Sequence, residues 1–277
     1  MKTSREKKYI FLLLLPLIIV LFAFLILPFL SIIISSFTTD SGIFTIKYYK
    51  NSFQKLYLES LKNSLVLAIS TTFIGMLAGS LIAFVLVKIK PKFRNFMLSL
   101  TSVPLTFSGI VIAYSFIVML GSSGTVTLII SKVFKINPLI FSSFLYTWRG
   151  LLVAYLYFQI PRMVLIMVNA WTKMDWSLVE AAQSLGAGSI RILRKVIIPY
   201  IKAPILAGSV LLFAVSMGAF GTALALTGPG VNIFPLTVYT QISDVSYNLR
   251  QADALVIILT IVTGTSIYIY RKLFSNK

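Results

Sequence analysis

Long apolar stretches alternate with short polar segments along the whole chain. A helix needs about 20 residues to cross the hydrocarbon layer of a bilayer, and six stretches are long enough to do so. They run from about Tyr9 to Phe37, Leu65 to Val87, Met97 to Leu120, Trp148 to Trp171, Ile205 to Leu226 and Ala252 to Tyr270. The pattern predicts an all-helical membrane protein with six transmembrane helices.

Two of these stretches carry further marks of membrane spans. Trp148 and Trp171 are 23 residues apart, which is roughly 35 Å of helix and puts one indole near each headgroup layer. The first stretch follows several basic residues, as in a signal peptide. It is longer than a signal-peptide core, however, and no small-x-small cleavage site ends it. We therefore expect it to remain as a membrane helix.

Positive charge is unevenly divided between the two sides of the predicted membrane. If the amino terminus is cytoplasmic, the inner segments hold sixteen lysines and arginines and the outer segments hold seven. Basic residues concentrate on the cytoplasmic side of membrane proteins. The count predicts that both termini are cytoplasmic, which agrees with an even number of spans. The longest external segment, about Thr38 to Lys62, is too short for a domain of its own, so residues 1–277 are predicted to form a single transmembrane domain.

Composition excludes several classes of function. Of the 277 residues, 58% are hydrophobic and 12% are charged, values that no ordinary soluble domain has. The absence of cysteine and histidine removes disulfides, thiol nucleophiles, the usual catalytic base and the commonest metal ligand. No G-x-x-x-x-G-K-[ST] phosphate loop occurs. We therefore expect no catalytic residue, cofactor or metal site in this chain, and any ATPase that drives it is a separate subunit.

The loop between the fourth and fifth stretches reads DWSLVEAAQSLGAGSIRILRKVIIP. Ser177 and Glu180 have the S-x-x-E spacing of a capping box, which predicts the start of a short helix. Gly186 and Gly188 supply left-handed or flexible positions that end it. This amphipathic helix needs a partner for its apolar face, and that partner is a protein or the bilayer.

The same loop carries the resemblance to a known family. Glu180, Ala181, Ala182 and Gly186, followed after nine residues by the run VIIP that ends at Pro199, resemble the EAA loop E-A-A-x3-G-x9-I-x-L-P of permease subunits of type I ABC importers. Valine and isoleucine stand where the family has isoleucine and leucine. The NSL run that starts at Asn63 is similar to the opening N-[ST]-L segment of the family. The runs YFQIPRMVLIMVNAW and GAFGTALALTG look most like its polyamine, ferric iron and phosphonate branch.

The resemblance implies a six-span permease in a prokaryotic cell membrane. Such a permease forms half of a translocation pathway with a second, identical or paralogous permease, and a solute-binding protein outside the cell delivers the solute. Two ATPase subunits bind ATP and Mg, and each takes the EAA helix of one permease into a groove. In this reading the loop of about residues 173–200 couples the ATPase to the membrane. Glu180 pairs with a basic group, Ala181 and Ala182 allow close approach, and Gly186 turns the chain away. The alternative is that Glu180 only caps its own helix and that the alanines reflect helix propensity.

Arg162 is the clearest charge inside a predicted span. It lies 14 residues after Trp148 and 9 before Trp171, directly after Pro161, and an ionisable group at that depth is a functional candidate. One reading puts it on the solute path, where its charge would repel polycations and favour an anionic or zwitterionic solute such as a phosphonate. The other has it bonded to carbonyls freed by Pro161, or reaching to the cytoplasm.

Other residues in the spans are weaker candidates. By resemblance to the family, Ser216, Met217, Phe220 and Thr222 of the fifth span are candidate path residues. The pairs Gly75 with Gly79 and Ala214 with Gly218 predict close helix packing within the bundle, and Pro104 with Gly109 predicts a kink in the third span.

Two other classes of function compete with the ABC permease. A secondary active transporter for a small anionic or zwitterionic solute would be expected to show internal duplication and paired polar sites inside the membrane, and the sequence shows no duplication. An intramembrane enzyme without histidine or cysteine would need an aspartate dyad in adjacent spans, and the aspartates lie in loops or at the edges of spans.

Overall fold

The computed structural model describes residues 4–243 and 247–274, and its regular elements there are helical except for one isolated bridge between Thr38 and Phe44. The helices are α1 (Ser4–Leu21), α2 (Leu27–Ser36), α3 (Lys47–Asn51), α4 (Lys55–Lys88), α5 (Pro91–Ser102), α6 (Gly109–Leu120), α7 (Thr125–Phe134), α8 (Pro138–Ser143), α9 (Trp148–Thr172), α10 (Ser177–Ser184), α11 (Ser189–Ile192), α12 (Ile198–Gly218), α13 (Phe220–Thr227), α14 (Phe234–Ile242) and α15 (Leu249–Phe274). Short 3-10 turns cover Val103–Leu105, Phe144–Tyr146 and Gly228–Gly230, and π-helical turns cover Phe22–Ile26 and Leu193–Ile197. The predicted all-helical fold is confirmed.

Six helical stretches of the described chain are long and apolar enough to cross a membrane. They are Leu12–Ser36, Lys55–Lys88, Gly109–Phe134, Trp148–Thr172, Ser189–Gly218 and Leu249–Ile269. The number of spans is as predicted, and the first, fourth and sixth lie close to their predicted bounds. The second helix begins ten residues earlier than the apolar pattern indicated, because its first turns are amphipathic rather than uniformly apolar.

The predicted bounds of the third and fifth spans were wrong. The third was expected from Met97 to Leu120, but α5 ends at Ser102 and α6 begins only at Gly109. Pro104 has no N–H for a helical hydrogen bond, and the hydroxyl of Ser108 accepts a hydrogen bond from the N–H of Val111 at 3.4 Å to start the next helix. The predicted kink is therefore a complete break.

The fifth span is also interrupted. It was expected as one helix from Ile205 to Leu226, whereas α12 begins at Ile198 and ends at Gly218, and α13 starts two residues later. Ala219 between them has a ψ of 77°, which is outside the helical range. Apolar composition continues through this position, so hydropathy alone does not reveal the break.

Both π-helical turns precede a proline. The N–H of Ile198 donates to the carbonyl of Leu193, and Pro199 follows directly. In the first span the N–H of Leu27 donates to the carbonyl of Phe22, and Pro28 follows. A proline lacks the N–H of a regular helical bond and its ring crowds the carbonyl four residues earlier. The wider turn relieves that crowding, so each helix continues past its proline.

The chain forms two compact units, of which the first comprises Met1–Leu58 and Val238–Ile261. Within it, Arg250 donates hydrogen bonds to the hydroxyl groups of Thr38 at 2.8 Å and Ser35 at 3.2 Å. The Ser35 hydroxyl donates to the carboxylate of Asp253. These bonds join the carboxyl end of α2 to the amino end of α15.

The second unit comprises Glu59–Thr237 and Val262–Lys277 and is organised around α9. More than half of the apolar window of α9 is buried, the largest share among the six spans. Two apolar clusters pack along it. The first contains buried residues such as Leu67, Ile112, Leu151, Tyr155 and Ala223. The second contains Ala83, Met163, Met167, Trp171 and Leu212. The side chains of α9 are thus held in place by packing along the helix.

Candidate functional site

The helix of the EAA loop, α10 (Ser177–Ser184), is hereafter the coupling helix. Its start differs from the predicted capping box. Ser177 is the first helical residue and no side-chain bond of the capping-box kind is present, so that prediction was wrong. Instead, a carboxylate oxygen of Asp175 accepts the N–H of Ser177 at 3.0 Å. Hydrogen bonding from the side chain of Ser177, and next from its backbone N–H, lowers the pKa of Asp175 below its ordinary value, because both bonds favour the charged carboxylate.

The end of the coupling helix agrees with the sequence prediction. Gly186 has a φ of +73°, a left-handed conformation that glycine adopts without strain. Its N–H donates to the carbonyl of Gln183 at 2.9 Å, and the N–H of Ala187 donates to that of Ala182 at 3.0 Å. This pair of bonds is the Schellman motif. Gly188, at φ −68°, is extended instead and precedes α11.

Aromatic side chains fasten the coupling helix to the membrane helices. The rings of Trp171, at the end of α9, and Trp176 are stacked with centroids 6.1 Å apart. Trp171 also contacts Phe84 of α4, with centroids 5.1 Å apart. Val179 packs against the same buried cluster as Trp171. The coupling helix is therefore in contact with α9 and α4 through this aromatic cluster.

The other side of the coupling helix is open to solvent. Glu180 and Ala181 are exposed, while Ala182 is half-buried. Leu178 is 54% exposed and Leu185 is 87% exposed. A leucine with so little contact to its own chain gains almost no burial energy there. The arrangement leaves a small apolar surface, with one carboxylate, beside the membrane helices.

A cavity of about 410 Å³ lies farther along the second unit. It is lined by Pro104, Leu105, Phe107, Gly109, Ile112, Phe158, Arg162, Val215, Gly218, Ala219, Phe220, Gly221 and Thr222. Arg162, Phe220 and Thr222, three of the candidate path residues, are therefore brought together at its wall. Ser216 and Met217, the other two candidates, are buried in the helix packing and do not line it.

Arg162 makes contacts that neither interpretation of the sequence predicted. Its Nη1 donates to the side-chain oxygen of Gln159 at 3.0 Å, rather than to a carbonyl freed by Pro161. The guanidinium carbon is 5.9 Å from the centre of the Phe158 ring, within the range of a cation–π contact. Of the described residues that line the cavity, Arg162 alone is charged.

Gln159 is a buried polar residue of this region that sequence analysis missed. It is fully buried, and its Nε2 donates to the carbonyl of Leu212 at 2.6 Å and to the hydroxyl of Ser216. The Ser216 hydroxyl is 2.9 Å from that of Thr71. We call Thr71, Gln159, Arg162 and Ser216 the Gln159 cluster. It joins α4, α9 and α12 by polar contacts inside an otherwise apolar bundle.

The break in the fifth span is stabilised by a neighbouring side chain. The hydroxyl of Tyr155 donates a hydrogen bond to the carbonyl of Ala219, the residue at the break. Beyond the break, α13 packs tightly on α6. A Cβ added at Gly109 would lie 2.5 Å from the hydroxyl of Thr222, so glycine is required there.

The two pairs of small residues differ in role. A Cβ on Gly75 would lie 3.0 Å from Leu212, and one on Gly79 would lie 2.6 Å from the Cβ of Met163. This pair packs against neighbouring helices, as predicted. Gly218, in contrast, has no atom within 4 Å of an added Cβ, so the prediction of close packing was wrong for Gly218. Gly218 faces the cavity instead.

Metal-ligating side chains do not gather in the part of the chain that the structure describes. No group of three or more His, Cys, Asp or Glu residues lies close enough together there to hold an ion.

Comparison with known proteins agrees with these features. The family described as "Binding-protein-dependent transport system inner membrane component" matches residues 72–277. The chain is 30% identical over 264 residues to the spermidine/putrescine transport system permease protein PotB of Haemophilus influenzae, covering 92% of this chain and 91% of that protein. It is 27% identical over 249 residues to PotC of Escherichia coli K12, a permease of the same named system, covering 87% of each.

A solved structure shows the same fold. A chain of a bacterial ABC transporter involved in the import of the acidic polysaccharide alginate superposes with a TM-score of 0.78 at 17% identity, covering 98% of this chain and 97% of that one. These matches set aside the alternatives of a secondary transporter and an intramembrane enzyme. The chain belongs to the family of binding-protein-dependent transport system inner membrane components, and is a multi-pass permease subunit of an ABC importer.

Proposed function

We propose that this permease is driven by a separate ATPase that binds its coupling helix. The observation that carries the proposal is the contrast between the two sides of that helix. One side is fastened to α9 and α4 through Trp171 and Trp176, and the other exposes Leu178 and Leu185. A partner that covers the exposed side would move the membrane helices with it.

Each residue of the EAA loop has a role in this proposal. Ala181 is exposed and small, so a groove wall can approach the helix backbone closely. Glu180 supplies a carboxylate for a basic group of the ATPase, and Gly186 turns the chain out of the groove. Ser177 begins the helix, and Pro199 lies where the loop enters α12.

The full transporter in this proposal contains two permeases and two ATPase subunits. The chain resembles both PotB and PotC, which carry the name of one transport system, and this supports a paralogous second permease. ATP and Mg are bound by the ATPase subunits. A binding protein outside the cytoplasm brings the solute, as the family description implies.

The solute proposed first is a polyamine. The support is identity of 30% across more than nine tenths of relatives named for spermidine and putrescine. A second candidate is a solute with an anionic group, such as a phosphonate, because Arg162 puts on the cavity wall a positive charge that no carboxylate of the described residues pairs with. Uptake of labelled spermidine, with an aminophosphonate as competitor, distinguishes the two.

The coupling role is tested by changing Leu185 to Asp. Leu185 is 87% exposed, so the change costs the isolated permease little, whereas a buried carboxylate in a groove would weaken ATPase binding by more than 1.4 kcal/mol, about tenfold. We expect copurification of the ATPase and ATP-driven uptake to fall at least tenfold. The control is Lys173→Ala, an exposed change in the same loop before the helix. Normal uptake and ATPase association by Leu185→Asp would refute the proposal.

A further inference from the structure

The amide of Gln159 can take only one orientation. Its two N–H groups are used by the Leu212 carbonyl and the Ser216 hydroxyl. Ser216 in turn can donate to Thr71, whose own hydroxyl donates to the carbonyl of Leu67 at 2.8 Å. This directed series of bonds leaves the amide oxygen facing Arg162. A flipped amide would set its oxygen against the Leu212 carbonyl and its NH2 group against the guanidinium, which are two repulsive contacts.

The position of the Arg162 charge depends on that oxygen. The bond from Nη1 to Gln159 is 3.0 Å long, and within the described residues no carboxylate pairs with the guanidinium. The guanidinium carbon also lies 5.9 Å from the centre of the Phe158 ring, which offers no hydrogen-bond acceptor oxygen. A flexible arginine side chain without such an acceptor is free to turn towards water. Gln159 therefore decides whether the charge stays at the cavity wall.

We propose that Gln159 is a positioning residue that holds the Arg162 guanidinium at the wall of the cavity, so that a fixed positive potential there selects among solutes by their charge. Gln159 itself does not line the cavity. The inference rests on the proposed function, since it takes the cavity as part of the solute path. The inference applies to either candidate solute. A positive potential at the wall attracts an anionic group, and it limits how tightly a polycation binds in the path.

The potential can be measured without transport, because the chain has no cysteine. Val215→Cys sets a single thiol at the cavity wall. In the purified full transporter, its rate of modification is measured with an anionic sulfonatoethyl methanethiosulfonate and with a cationic trimethylammonioethyl methanethiosulfonate. The ratio of the two rates reports the local potential. A unit charge about 8 Å away changes this ratio about fivefold, even at the dielectric constant of water.

Four further changes in the Val215→Cys background test the role of Gln159. Arg162→Gln removes the charge, and we expect the ratio of anionic to cationic rates to fall about fivefold. Gln159→Met has similar length but no acceptor and should lower the ratio by at least threefold, and the double variant with Arg162→Gln should fall no further than Arg162→Gln alone. Gln159→Asn keeps a polar amide inside the bundle, so we expect it to fold normally. Its side chain is shorter by one methylene, so the amide oxygen lies farther from Arg162 and the ratio should again fall. Ser209→Ala is the matched control, since it removes from α12 a hydroxyl that bonds the carbonyl of Ile205 at 2.8 Å, outside the Gln159 cluster, and it should leave the ratio unchanged.

Three results would overturn the inference. The first is an unchanged ratio in Arg162→Gln, or no reaction with either reagent, since the cavity would then carry no effective potential for solutes. The second is an unchanged ratio in both Gln159 variants. The third is an equal fall in Ser209→Ala, which would mean that general loosening of the helix packing changes the ratio. The thiol measurement does not need ATP hydrolysis. If the coupling helix did not work as proposed, ATP-driven uptake would be affected while these ratios stayed intact, so the two proposals fail in distinguishable ways.

Discussion

The coupling helix and the Gln159 cluster place their side chains in opposite environments within one chain. The coupling helix leaves apolar side chains in water, with Leu185 87% exposed. The Gln159 cluster buries polar side chains among apolar helices, with Gln159 and Thr71 fully buried. Exposed apolar groups are stabilised only by a partner, whereas buried polar groups must satisfy one another inside the chain. Substitutions in the first region should therefore affect assembly and coupling, and substitutions near the second should affect folding and solute selection.

The largest effect on stability is expected at the packing beside the Gln159 cluster. A Cβ on Gly79 would lie 2.6 Å from the Cβ of Met163 and 3.0 Å from the carbonyl of Ile160, so Gly79→Ala forces α4 away from α9. We expect a loss of about 1–3 kcal/mol, measured as a lower midpoint of denaturant unfolding in detergent. Gly264→Ala, with no atom within 4 Å of the added Cβ, is the control and should not lower the midpoint. Equal midpoints for the two variants would show that α4 and α9 are not closely packed.

A smaller effect is expected where the fifth span is interrupted. Tyr155→Phe removes the hydroxyl that donates to the carbonyl of Ala219. An acceptor left without its donor costs about 1 kcal/mol where water can reach it, and Ala219 borders the cavity. Hydrogen exchange at residues 219–222 should become severalfold faster, with a slightly lower unfolding midpoint. Tyr157→Phe, at a position 42% exposed, is the control. Unchanged exchange in Tyr155→Phe would mean that other contacts hold the break.

The two regions also differ in how far the sequence predicts them. The coupling helix is local: its motif, its length and its glycine end are contained in consecutive residues, and the structure agrees at Gly186. The error at its start is local too. Asp175 competes with Ser177 for the role of cap, because an aspartate readily bonds the N–H two residues later.

The Gln159 cluster could not be predicted from consecutive residues of the sequence. Ser216 lies 57 residues from Gln159 and 145 from Thr71, so their contact depends on how three helices pack. The one available signal was a polar glutamine three residues before Arg162, on the same helix face in an apolar span. The break at Ala219 left no signal of its own, since apolar residues continue through it.

The central claim is that the coupling helix binds an ATPase, and site-directed cross-linking tests it most directly. Gln183 is exposed on this helix. Because the chain has no cysteine of its own, Gln183→Cys gives it a single reactive thiol at this position. A maleimide–benzophenone reagent attached there, in the assembled transporter, should on illumination give a covalent product with the ATPase subunit that is lost in the Leu185→Asp background. Products only with lipid or with the binding protein, and none with the ATPase, would contradict the account.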